Sequence, residues 1–282
     1  MKKMKLAVLA SALVGMLGLS SCLGGGDYEN SYPGADFVQV SGYLGMNSLV
    51  NQYGFEYIPS DKTILEKLES GRYAYISYSY DPALVDPSAK SLNVQLYGYT
   101  QLTDENPSTI PSTPTEEAAN APVCDVSSPG EYLYPTFFKL NDLFIPLVYY
   151  VKQTDDDDEW KEELAAHSFA LYYDAATDFK DGEMTLHLRH KIQNFDEEDN
   201  KTRTRRGYEY RHYSLIAPLS EYRSAHEGKN PDKIIIEFEQ NTYDATYGGS
   251  SVRSNTYQID YKEVVDNYNE LSGNANSSSI AD

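Results

Sequence analysis

Tyr73-Ala74-Tyr75-Ile76-Ser77-Tyr78-Ser79-Tyr80 reads as a β-strand with two distinct faces. Tyr73, Tyr75, Ser77 and Ser79 fall on one side, and Ala74, Ile76, Tyr78 and Tyr80 on the other. Successive side chains of an extended chain point to opposite sides, so a period of two marks a strand. Leu92, Val94, Leu96 and Gly98 alternate in the same way with Asn93, Gln95, Tyr97 and Tyr99. Upstream, Phe37, Val38, Val40, Tyr43 and Leu44, then Tyr53, Phe55 and Tyr57, extend the pattern. Between these runs, Asp61 is placed to cap a helix, Ile64, Leu65 and Leu68 share one helical face, and Gly71 is placed to end it. Several strands around one short helix predict a small barrel of OB type over residues 36–103.

The alternation resumes further on. Tyr132 to Leu140, Leu143 to Lys152, His167 to Asp174, Glu183 to Phe195, Tyr208 to Ile216, Lys233 to Gln240 and Val252 to Ile259 are predicted strands. Separated by turn-forming pairs such as Asp181-Gly182, they predict an antiparallel β-sandwich over residues 123–271. Trp160 and Leu164, four apart, allow a short helix in one connection, and Tyr261, Val264, Val265, Tyr268 and Leu271 fit a closing helix. Residues 272–282 are expected to be a disordered tail. The two β regions are separated by residues 104–122, DENPSTIPSTPTEEAANAP, where Pro107, Pro111, Pro114 and Pro122 stand among Ser, Thr and Glu. That composition buries no core, so a Pro/Ser/Thr-rich linker is expected there.

Ahead of the folded part, Lys2, Lys3 and Lys5 precede a mostly apolar run from Leu6 to Leu19, and Leu19-Ser20-Ser21-Cys22 follows. The run is short for a bilayer span of about 20 residues but has the length of a signal-peptide core. Residues 1–21 are therefore expected to be a signal peptide and Cys22 the first mature residue. The motif resembles a bacterial lipobox, and that resemblance implies a diacylglyceryl thioether and an N-acyl chain, palmitate among the usual acyl groups, on Cys22. Two or more chains hold a protein firmly to a bilayer, whereas one is marginal. Residues 22–35, with Gly24, Gly25, Gly26, Pro33 and Gly34, read as a lipidated tether. Asp27 and Glu29 resemble the surface-export signal of Bacteroidota lipoproteins, which implies an outer-membrane anchor facing the cell surface.

The composition bounds the function. There are 23 basic and 43 acidic residues, a net charge of −20, which argues against nucleic acid as a partner because such affinity comes from neutralising phosphates. It also leaves membrane attachment to the lipid on Cys22. Beyond Cys22 the only cysteine is Cys124, so no internal disulfide framework exists and stability must come from burial. Tyrosine is abundant, 26 against 9 Phe and 1 Trp, which suits β structure with half-wet surfaces.

No nucleophile elbow, phosphate loop or metalloprotease motif is present, so no catalytic residue, cofactor or metal is expected. Asp155-Asp156-Asp157-Asp158-Glu159, with Glu162 and Glu163, lacks the glycine-turned spacing of a calcium loop and reads as a solvated acidic loop. His187 and His190 are three apart on a predicted strand and so face opposite ways; His190, on the face of Leu186, Leu188 and Ile192, reads as a hydrogen-bonded core residue rather than a zinc ligand. Arg203, Arg205, Arg206 and Arg211, interleaved with Tyr208 and Tyr210, form the one concentrated basic segment; it reads either as a hairpin that neutralises its own acidic surroundings or as the candidate contact for an envelope protein or glycan.

Three local features carry a family resemblance: Tyr53-Gly54-Phe55-Glu56-Tyr57-Ile58-Pro59, Gly71-Arg72-Tyr73 with Tyr78 to follow, and His167-Ser168-Phe169-Ala170-Leu171. With the anchor, the OB-like module and the C-terminal sandwich, the chain resembles the NigD-like proteins of Bacteroidota. The resemblance implies a lipoprotein without catalytic activity and an association with bacteriocin operons. A glycan-binding or fimbrial-type surface component is the alternative expectation.

Overall fold

The structure is a computed structural model, and it describes residues 31–43, 46–86, 88–105, 108–109, 119–127, 134–248 and 250–277. The expected signal peptide, Cys22 and most of the tether lie outside the described residues. The chain divides into two units; the described residues up to Thr103 belong to one, and those of Asp104–Ser128 and from Tyr134 onward to the other.

The first unit is a closed five-stranded barrel of β1 (Tyr32–Tyr43), β2 (Met46–Val50), β3 (Glu56–Pro59), β4 (Tyr73–Tyr80) and β5 (Ser91–Gln101), in the order β1-β2-β3-β5-β4. Its pairings are antiparallel except β3 with β5, where Tyr57 lies beside Leu92 and Pro59 beside Val94. The predicted helix is a 3-10 helix at Lys62–Lys67, capped as expected by Asp61, whose carboxylate accepts from the Thr63 amide at 2.9 Å. Asn47 fastens it by donating to the carbonyls of Leu65 and Leu68. Val38, Val40, Leu49, Ala74 and Ile76 are wholly buried at the centre, and each full aliphatic burial is worth about 1.5–3 kcal/mol. The alternation of the opening stretch is realised directly, with Ala74, Ile76 and Tyr78 facing inward.

The second unit is a sandwich. One sheet runs β6 (Thr103–Glu105), β13 (Arg203–Ser214), β9 (Asp142–Lys152), β8 (Thr136–Phe137). The other runs β15 (Arg253–Asp260), β14 (Lys233–Gln240), β12 (Glu183–Ile192), β10 (His167–Tyr173), β7 (Ser108–Thr109), with β11 (Phe179–Lys180) beside β12. Leu143, Ile145, Leu147, Tyr149 and Val151 of β9 pack against Phe169 and Leu171 of β10, Leu186 and Leu188 of β12, and Ile234 and Ile236 of β14 in one core. Helices α1 (Asp157–Ala166), α2 (Ala175–Asp178), α3 (Glu197–Asn200) and α4 (Ile216–Ala225) fill connections between strands, and α5 (Tyr261–Ser277) follows β15.

The all-β expectation of a small barrel followed by a sandwich therefore describes this fold, with four corrections. The sandwich is not purely antiparallel: β12 runs parallel to β14 and β10 parallel to β7. β1 begins at Tyr32, so residues 32–35 belong to the barrel rather than to a tether; Gly34 is there because a Cβ would lie 2.6 Å from the Tyr78 ring. The expected linker is folded at both ends, in β6 and in a buried stretch from Ala119 to Val126 that bridges Ala121 to His190 and Val123 to Gln240. The closing helix continues to Ser277, into the expected tail.

Candidate functional site

The basic segment lies on β13, and the strand's period of two, broken by a bulge between Arg203 and Arg205, splits it between faces. Arg203 turns into the sandwich, 4% exposed, and grips Glu163 of α1 with two hydrogen bonds, Nε to Oε1 at 2.8 Å and Nη2 to Oε2 at 3.0 Å. Arg211 is also internal, 6% exposed, with Nε 2.7 Å from Glu209 Oε1 and its guanidinium over the Phe169 ring. Arg205 is exposed and lies over Trp160, Arg206 is exposed and donates to the Thr242 carbonyl, Tyr208 is exposed and Tyr210 half-buried. The six expected contact residues thus do not form one basic patch. Only Arg205, Arg206 and Tyr208 are exposed, because Arg203 and Arg211 are drawn inside by the acidic side chains of Glu163 and Glu209.

The acidic run is likewise not a loop throughout. Asp156 caps α1 by accepting from the amides of Asp158 and Glu159, and Asp157, Asp158 and Glu159 occupy its first turn, where the helix dipole favours negative charge. Glu163 is buried and central to a charged cluster: His167 Nε2 lies 3.1 Å from its Oε1, the Lys152 amide donates to it, and Lys152 Nζ is 2.8 Å from Asp199. Burial works to raise its pKa, but the hydrogen bonds from His167 and Arg203 prevail and hold the carboxyl down to about 2. The run's own helical spacing could have revealed this residue, since Glu163 follows Trp160 by three positions and lies next to Leu164, on the inward face.

His190 is the core residue expected. Its Nδ1 meets the Pro122 carbonyl at 2.8 Å, its Nε2 meets His167 Nδ1 at 2.8 Å, and the ring stacks on Phe169. Burial pushes its pKa down to about 3, so the ring is neutral. His187 faces the other way, beside Asp178 and Glu237. Cys124 is buried against Val148, Tyr150 and Ala245, and burial pushes its thiol up to about 11, which leaves little thiolate for chemistry. Among the described residues no group of three His, Cys, Asp or Glu side chains is placed to hold a metal.

A cavity of about 560 Å³ lies in this unit. Its walls come from the 195–204 segment, from Asn120 and Tyr150, and from the loop Tyr243-Asp244-Ala245-Thr246-Tyr247 after β14. That loop is held rigidly. The buried Asn241 accepts from the amides of Tyr243 and Asp244 and donates to Asp244 Oδ1 and the Thr246 carbonyl. Asn200 Nδ2 donates to the Ala245 carbonyl at 2.8 Å, and Tyr247 Oη to Glu239 at 2.6 Å. Sequence reasoning missed this site because its walls come from segments far apart in the chain and its main loop carries no periodic signal; Asn241-Thr242-Tyr243-Asp244 was its one visible sign, a turn composition carrying a tyrosine.

No protein-family model matches the sequence, and no curated protein matches it. Among solved structures, a protein of Bacteroides fragilis provisionally classed as a lipoprotein is similar at 27% identity over 81% of this chain and 98% of its own, with a TM-score of 0.72. A protein of unknown function from Bacteroides vulgatus shares the fold at 14% identity over 81% of this chain and 90% of its own, with a TM-score of 0.52. A NigD-like immunity protein from Bacteroides caccae is also found, at 16% identity over 80% of this chain and 95% of its own, with a TM-score of 0.49.

Proposed function

We propose that this chain is a lipid-anchored cell-envelope binding protein of the NigD-like type, attached to the outer membrane through Cys22 and acting by recognition rather than catalysis. One conjunction carries the reading: the Leu19-Ser20-Ser21-Cys22 motif stands ahead of a body similar, over 98% of the other chain, to a Bacteroides fragilis protein provisionally classed as a lipoprotein. The chemistry of the body supports recognition. Its buried titratable groups, Glu163 with Arg203 and His167, Arg211 with Glu209, and Asp36 with Tyr57, are committed to one another as structural pairs. Arg205, Arg206 and Tyr208 remain as the exposed part of the expected contact surface.

The test is fractionation of cells expressing the chain with Cys22→Ala. The wild-type protein is expected in the washed membrane pellet and the variant in the soluble fraction, a loss of anchoring that no change in the body produces. A variant that remains in the pellet overturns the anchored reading.

A further inference from the structure

We infer that the cavity walled by the 195–204 segment and the 241–247 loop binds a neutral oligosaccharide, with the Tyr243 ring as its stacking platform. The inference rests on the reading of the chain as a binding protein and names the site and ligand class.

Size comes first. About 560 Å³ lies within the range of roughly 300–1,000 Å³ typical of small-molecule sites and leaves room for more than one sugar ring. Charge comes next. The basic side chains of the wall are already answered: Lys201 Nζ is 2.6 Å from Glu198 and Arg203 is gripped by Glu163. The Asp244 carboxylate is taken up by the Thr246 amide and Asn241. Glu197 adds a single carboxylate to the lining, too few to hold a cation, so the cavity offers neither a free cluster of cations for a phosphate nor a cluster of carboxylates for a cation, and selects an uncharged ligand.

The polar wall has two atoms in need. Asn200 Oδ1 and Arg203 Nη1 are buried and have no hydrogen-bond partner among the described residues, although Nη1 lies 3.6 Å from Asp199. One of these atoms requires a donor and the other an acceptor, and leaving either without a partner costs about 1–3 kcal/mol. A hydroxyl is both donor and acceptor, so a polyol or its bound water satisfies the pair as no single ion does. Thr204 and Thr246 add hydroxyls to the same lining.

The apolar contribution is Tyr243, 80% exposed yet carried on a loop fixed by the buried Asn241 and by Asn200. An aromatic ring held in water by a rigid loop loses little entropy on binding and presents a flat face to the CH side of a pyranose. Arg206 belongs to this support, since it donates to the Thr242 carbonyl next to Tyr243.

The experiment is saturation-transfer NMR and titration on the full-length, detergent-solubilised protein with maltotetraose, cellotetraose, laminaritetraose and chitotetraose. At least one is expected to bind with a dissociation constant of about 1 mM or tighter. Tyr243→Ala should weaken it by about fivefold or more, Tyr243→Phe should hold it within about twofold, and Tyr53→Ala, an exposed tyrosine of the barrel unit that does not line the cavity, should leave it unchanged. Because Tyr243 is exposed, these variants fold as the wild type does, which a melting curve checks. No transfer to any of the four sugars, or binding indifferent to Tyr243→Ala, overturns the site. That failure is separable from failure of the anchored reading: blank titrations with membrane attachment intact remove only the sugar site, and a wild-type protein found in the soluble fraction removes only the anchor.

Discussion

At the scale of the residue, the most consequential interaction is the buried pair of Glu163 and Arg203. Two hydrogen bonds close it, and His167 and Lys152 surround it. Breaking one side leaves a buried charge unanswered, so Glu163→Gln is expected to cost about 3–5 kcal/mol in a urea unfolding curve; a loss under about 1 kcal/mol would mean that water reaches Arg203. The same cluster sets the response to acid. Glu163 has its pKa lowered to about 2, so its contribution is present above the ordinary carboxylate value near 4.5 and is lost as the pH falls from there towards 2. His190, lowered to about 3 from 6.5, binds its proton in the unfolded chain first, so it too withdraws stability as the pH falls from 6.5 towards 3. Unfolding free energy should therefore decline from pH 6.5 downward, and His190→Gln should flatten the upper part of that slope. A slope unchanged by the substitution would place the titrating group elsewhere. His190 was legible from its place among Leu186, Leu188 and Ile192. The fate of Arg203 was not, because a bulge resets the alternation and no local pattern announces a bulge.

At the scale of the element, strands whose alternation is made of apolar residues were read almost to the residue: β4, β9, β10, β12 and β14 begin and end close to where their patterns do. β13 starts at Arg203, well before its expected start at Tyr208, because one inward arginine and two outward ones mimic a polar loop. Helix α4 gave no signal, since its first turns contain Pro218 and its cap position is Leu215, without a capping side chain. The expected strand over Tyr132–Leu140 shrinks to Thr136–Phe137 among the described residues. Parallel pairing of β12 with β14 was invisible for a different reason: alternation fixes which face a residue takes and says nothing of its neighbour's direction. The close approach of β1 and β4 gives a test at this scale. Adding a methyl group at Gly34 drives it into the Tyr78 ring, whose hydroxyl lies 3.4 Å from that of Tyr57 and through it reaches Asp36. Gly34→Ala should destabilise the barrel by about 1–3 kcal/mol, seen as a lower melting temperature, and Gly54→Ala, where a Cβ meets nothing but φ is +75°, should cost less than that. Equal effects would show that packing against Tyr78 is not what demands glycine at position 34.

At the scale of the whole molecule, the chain combines two β units with separate cores, a net charge of −20 and a lipobox-like N-terminus. Acidic surfaces are repelled by anionic lipid, so on the proposed reading the acyl anchor at Cys22 would supply the whole of the attachment. Architecture at this level was legible because barrel and sandwich follow from alternation and turn spacing, whereas the cavity was not, because segments far apart in the chain and brought together by folding leave no periodic trace. The most direct measurement is mass spectrometry of the N-terminal peptide of the protein purified from the membrane fraction. The account predicts a chain beginning at Cys22 and heavier than its sequence by a diacylglycerol and an acyl chain. A chain beginning at Met1, or an unmodified Cys22, would contradict it.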